Sequence, residues 1–211
     1  MKKILLAIFF GFPVFLFAQK ATSFDATKWV APYTLGSPQG WDIERFPIPI
    51  AFAPKIAYEG VEDIRFTPGW GKSKSNEYWS YLFLWFLDGH PQMDSATIEN
   101  NLKQYYQGLI ASNTEGRKIP AGKIFTPKTS FKKVATHPAD KATFEGTIYM
   151  LDYMTQEPIT LNCSIHIRTC EQQPGKTFVF HEISPKPSTD PVWQEMNELL
   201  AHFNCEAPPA K

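Results

Sequence analysis

Five side chains in the last third of the chain could act together on a small molecule: Glu145, Tyr149, His166, Arg168 and His181. A carboxylate and two imidazoles can move protons near neutral pH or hold a divalent metal. Each belongs to a segment in which apolar and polar residues alternate, within 142–153, 159–168 or 176–184, the pattern of strands with two unlike faces.

Register parity decides which of them meet. A hairpin turning through Gln172-Gln173-Pro174-Gly175, if it holds an even number of residues, puts Ser164, His166 and Arg168 on one face with Val179 and His181, and makes His166 and His181 cross-strand neighbours. The hairpin before it, turning at 155–158, adds Glu145, Thr147 and Tyr149 to that face. Phe144, Ile148, Met150, Cys163, Ile165 and Phe180 then take the other face. An odd loop would break this parity. The polar face reads either as a ligand site or as a plain solvated surface.

No Gly-x-Ser-x-Gly, His-Glu-x-x-His, Walker loop or dinucleotide fingerprint is present. No residue is therefore assigned as catalytic, no set has the spacing of a metal site, and no cofactor is expected. His90 and His137 each precede a proline in turns and His202 falls on the outer side of the last helix, so none of the three receives a role.

The elements that must position these residues begin after a leader. Lys2 and Lys3 precede an uncharged apolar run over 4–17, and Ala18 offers a small residue for cleavage, which predicts a signal peptide over 1–18 and a periplasmic or secreted product. The run is shorter than the roughly 20 residues needed to cross a bilayer and contains Pro13. No membrane span is expected in the mature chain. Without Lys2 and Lys3, 19 basic face 21 acidic side chains, and this near-neutral balance lacks the footprint of a nucleic-acid binder. Residues 19–211 suffice for one domain, with a proline-rich extended segment over 19–60 packed on an α+β unit over 61–211.

In an oxidising compartment the three cysteines can pair. Cys163 alternates with Leu161, Ile165 and Ile167 and reads as a small buried hydrophobe, so Cys170, ending its strand, is predicted to pair with Cys205 after the last helix. Pro32, Pro38, Pro47, Pro49 and Pro54 forbid a helix or central strand over 31–54, but Ile43, Phe46, Ile48, Ile50 and Phe52 suggest extended chain laid on an apolar surface. A strand follows over 61–66, then a Pro68-Gly69 turn carrying Trp70, read as a lid folded onto the core. Residues 78–87 are apolar on both faces, as in a central strand. Asp94 or Ser95 caps a helix through about Asn113, marked by Ile98, Leu102, Tyr105 and Leu109. Four strands, near 130–136, 142–153, 159–168 and 176–184, form a meander. Asp190-Pro191 starts a last helix with Trp193, Met196, Leu200 and Phe203 on one stripe.

This order, with Gly40-Trp41 leading into the first extended stretch, a helix around 100–109 and the ending Trp193 to Phe203, resembles the PsbP/Mog1-type sandwich. The stretch from Phe178 to Pro185, followed by Trp193 and Cys205, also resembles uncharacterised exported bacterial proteins. The first likeness implies an α+β fold and an accessory or assembly role. The second implies no activity. The function read from the sequence is a non-catalytic exported binding or accessory module with an unknown protein or small-molecule partner. Its alternative is an enzyme, or a small-ligand or metal-binding protein, using the polar face around His166 and His181.

Overall fold

The computed structural model describes residues 24–207, so the expected leader over 1–18 lies outside the described residues. Seven antiparallel strands form one sheet: β1 (Asp42–Ile48), β2 (Gly60–Phe66), β3 (Tyr81–Asp88), β4 (Lys128–Lys133), β5 (Ala142–Asp152), β6 (Glu157–Arg168) and β7 (Lys176–Ser184). Helix α1 (Ser95–Thr114) separates β3 from β4, and α2 (Pro191–Ala201) closes the fold. The spatial order β1-β2-β3-β7-β6-β5-β4 joins two meanders, so α1 carries the chain from the middle of the sheet to its far edge. The fold is α+β, as the element pattern predicts.

Each strand sits where its composition allows. Pro47 removes a ladder donor, and β1 is an edge strand that among the described residues pairs only with β2. The apolar run of β3 lies between β2 and β7 and is buried on both faces up to Asp88. It starts at Tyr81, later than residue 78, because Tyr78 and Trp79 complete a turn in which Trp79 has φ 54°. Strand β4 runs from Lys128, two residues ahead of the predicted start.

Tyr81, Phe83, Trp85, Val179, Ile183, Cys163, Ile165 and Ile148 face α1, which buries Ile98, Leu102, Tyr105, Tyr106 and Ile110 against them. The helix starts where Asp94 accepts from the Thr97 amide at 2.8 Å. Leu82, Leu84, Phe86, Phe178 and Phe180 face the other way, under α2 and the N-terminal segment. Helix α2 presents Val192, Trp193, Met196, Leu199 and Leu200, and Asp190 caps it by accepting from the Val192 amide at 3.1 Å. The N-terminal segment buries Tyr33, Leu35 and Trp41. Tyr33 donates to Asp63 at 3.0 Å, and Arg65 donates to the carbonyls of Leu35 and Gly36, so a buried ion pair in β2 fixes this irregular chain.

The disulfide joins Cys170 to Cys205, across 35 residues, and Cys163 is a free buried thiol. It ties the chain after α2 to the end of β6, next to a bridge between Thr34 and Asn204 that brings the two ends of the described chain together. Trp70 stacks on Phe66 with ring centroids 4.3 Å apart, folded back as a lid on the α1 side of the sheet.

Candidate functional site

The strand registers divide the five predicted site residues between both faces. Glu145 pairs with Ser164, and Thr143 with His166, so Glu145, Tyr149, His166 and Arg168 share the α2 face. His181 does not join them. Arg168 pairs with Phe178, so an odd number of residues separates the paired positions; His166 lies opposite Phe180, and His181 opposite Ile165. The even turn assumed from Gln172 to Gly175 is part of a longer connection that starts at Thr169 and includes the disulfide-bonded Cys170. His181, and Val179 with it, therefore falls on the α1 face, and Phe180 on the α2 face.

The two histidines differ in charge as well as place. His181 is fully enclosed, stacked on Phe83 at 4.1 Å with an interplanar angle of 8°, and no donor or acceptor among the described residues reaches its Nδ1. Burial pushes its pKa down to about 3, and the charge on His166 adds to the effect. It is a neutral core residue.

His166 is the hub of a buried polar network. Its Nδ1 lies 2.7 Å from Asp140 Oδ2, and its Nε2 lies 2.9 Å from Ser164 Oγ and 3.2 Å from Glu182 Oε2. Burial alone would disfavour the imidazolium, but the hydrogen bonds to Asp140 and Glu182, together with their charges, outweigh it and raise the pKa to about 9. Burial likewise opposes ionisation of Asp140, yet hydrogen bonds from His166, Thr143 and Arg168 bring its pKa down to about 2. Near neutral pH both nitrogens of His166 thus donate. Arg168 reaches further, donating to the Leu200 carbonyl at 2.9 Å and lying over Phe180, so it fastens the end of α2 to the sheet. Tyr149 stands apart as an exposed side chain of β5, stacked on Phe125 at 5.2 Å.

Beside this network is a cavity of about 550 Å³. It forms because α2 packs against β7 while β4, β5 and the outer part of β6 leave the same face open. Glu145, Asn162, Ser164 and Glu182 lie along its sheet side, with Trp193, Asn197 and Pro187 opposite and His137 at one end. The wall is braced by two bonds to the Lys186 carbonyl, from Asn162 Nδ2 at 2.9 Å and from Trp193 Nε1 at 3.0 Å. Glu182 is buried, and no donor among the described residues reaches its Oε1.

Asp140 and Glu182 take part without being among the candidate residues; Ser164, set on this face by parity, and His137, given no role in the sequence, join them. Asp140 is hidden in a turn three residues after His137. For Glu182 a signal existed: with the correct parity it is a lone carboxylate on the face of Phe178 and Phe180, and such a charge needs a partner when buried.

Two chemistries are suggested by the geometry. Ligating atoms of His137, Asp140 and His166 lie within 4.8 Å of one another, close enough to surround a metal ion. Asp140, however, already accepts from Thr143, His166 and Arg168, and a cation there would face the Arg168 guanidinium at 2.8 Å from Asp140. Ser164, His166 and Asp140 also follow the order of a hydrolase triad. Glu182 makes the difference, because a second carboxylate keeps His166 protonated and unable to take a proton from Ser164. Compared with known proteins, the chain matches no family model, no curated protein and no solved structure.

Proposed function

We propose that the chain is an exported, non-catalytic binding module that holds a small polar ligand in the cavity between α2 and the outer strands. The observation that carries this reading is the cavity itself. Its volume, about 550 Å³, falls within the range of small-molecule sites, and its floor is fixed by a network that needs no ligand to form. A preformed polar floor spares the ligand the cost of ordering it. Export is supported by the Cys170–Cys205 disulfide and by the basic and apolar pattern of residues 1–18.

Ser188 is exposed on the rim, so Ser188→Trp fills the mouth without disturbing the core. Native mass spectrometry of the protein isolated from its expression host under non-denaturing conditions tests the proposal. A small molecule retained by the unmodified protein and absent from Ser188→Trp is expected. Retention by both, or by neither, would contradict it.

A second reading rests on the Ser164–His166–Asp140 line, that of a serine hydrolase. A fluorophosphonate probe separates the two. No labelling of Ser164 is expected between pH 6 and 8, and labelling that Ser164→Ala abolishes would establish the hydrolase.

A further inference from the structure

Charge around the cavity narrows the ligand further, provided that the cavity is a ligand site as proposed above. Among the described residues two carboxylates, Glu145 and Glu182, line it, and no lysine or arginine does. Arg168, the nearest guanidinium in the network, is turned away to Asp140 and the Leu200 carbonyl. The positive charge of His166 is shared between Asp140 and one oxygen of Glu182, so it is already neutralised inside the protein. Among the described residues Glu182 Oε1 is left as a buried acceptor without a donor, a state that costs free energy until a donor reaches it.

Ligand shape follows from the opposite wall. Trp193 and Pro187 supply an apolar strip across from these acceptors, while Ser164 and Asn162 flank Glu182 on neighbouring β6. An anion entering here would meet two like charges, and among the described residues no lysine or arginine lines the cavity to receive its carboxylate or phosphate; Lys132, opposite Glu145 in β4, is exposed outside the lining. A bare metal ion would fill only a small part of about 550 Å³, and Glu182 is not among the residues whose atoms converge for a metal.

We infer that the ligand is an organic cation, a primary ammonium on a short apolar body, with its ammonium seated between Glu182 and Glu145 and its body against Trp193. The ammonium supplies the donor that Glu182 Oε1 lacks, and its three hydrogens can also reach Ser164 and Glu145. The ring of Trp193 covers the stem.

Calorimetric titration with three probes of one shape tests this: phenethylamine, 3-phenylpropionate and 2-phenylethanol. The amine is expected to bind at least tenfold more tightly than the other two. Glu182→Gln and, as a surface change that leaves the buried network intact, Glu145→Gln should each weaken it severalfold, and added salt should weaken it further. Equal or tighter binding of the carboxylate or the alcohol overturns the ammonium assignment, and if Ser188→Trp abolishes that binding the cavity remains a ligand site. Amine binding that neither glutamine variant alters also overturns it. So does zinc or calcium that displaces the amine and binds more tightly, which would make this a metal site. If none of the three probes binds, the ammonium assignment falls, while the cavity stands or falls separately on the mass-spectrometric comparison.

Discussion

His166 and His181 occupy adjacent strands and respond to pH in opposite ways. His181, with a folded pKa of about 3, excludes a proton that the unfolded chain takes up below about 6.5. Its contribution to stability is therefore complete above pH 6.5 and is lost as the pH falls toward 3. At pH 5 the loss is about 2 kcal/mol, from 1.36 kcal/mol per pH unit over about 1.5 units. Phenylalanine can take the same stacked position on Phe83, so His181→Phe should remove this loss, and urea melts at pH 7 and pH 5 should differ less for the variant than for the parent. An equal acid loss in both would show that His181 is not the group responsible. His166 behaves in the reverse sense. With a folded pKa of about 9 its stabilisation is full below pH 6.5 and is lost as the pH rises through 9. An NMR titration of its ring protons should give a midpoint near 9, falling in Glu182→Gln. A midpoint near 6.5 would return Ser164 and His166 to consideration as a nucleophile and its base.

The sequence exposed these residues unevenly. Glu145, His166 and Arg168 could be set on one face because β5 and β6 alternate cleanly and are joined by a tight turn. His181 falls on the face opposite to the one expected, because its placement depends on whether the connection after Arg168 is odd or even. Cys170 obscures that count, since it looks like the end of a strand and is in fact a covalent anchor within the connection. Asp140 could not be found from local pattern, since His166 and Arg168 meet it only when β5 and β6 pair, and Thr143, three residues on, is its one local partner among the three.

Among the elements, those with their own local signals were the most legible. Asp94 and Asp190 cap the helices that follow them, and the doubly apolar β3 lies inside the sheet. The crossover of α1 to the far edge has no local signal; it is fixed by β4, which can pair with β5 only on that side. Glu99 of α1 helps to hold β4, accepting from the Phe131 amide at 2.8 Å. Gly146 in β5 makes the close approach possible. A Cβ there would sit 2.2 Å from the Ser130 carbonyl oxygen and 2.5 Å from the Phe131 ring, both in β4. Gly146→Ala should displace the edge strand and cost about 1–3 kcal/mol. Hydrogen exchange should quicken in residues 128–133 well before it does in β3. Unchanged protection of β4 would mean that the strand can shift to accept the methyl group.

At the scale of the whole molecule, one sheet has a closed face and a half-open one. Helix α1 spans the first face, and on the second α2 and the N-terminal segment cover β3 and β7 but leave the cavity between α2 and the outer strands. The disulfide stabilises this unequal cover by closing a loop that contains β7 and α2. Replacing Cys170 and Cys205 by serine should lower stability by ~3–4 kcal/mol in the chain-entropy description. The same change should loosen the wall formed by Trp193 and Asn197, weakening any ligand held there. A urea midpoint unmoved by the double replacement would show that the N-terminal strap and Arg168 alone hold α2 in place.

That the cavity beside His166 and Glu182 is a ligand site is tested most directly by an amide NMR titration of the protein with small amines, carboxylates and neutral alcohols. The geometry predicts that at least one amine shifts a contiguous set of amides at Asn162, Ser164, Glu182 and Asn197, and that Ser188→Trp removes those shifts. If no compound moves these amides, or if the shifts scatter over the α1 face and persist in Ser188→Trp, the cavity is not where this protein binds.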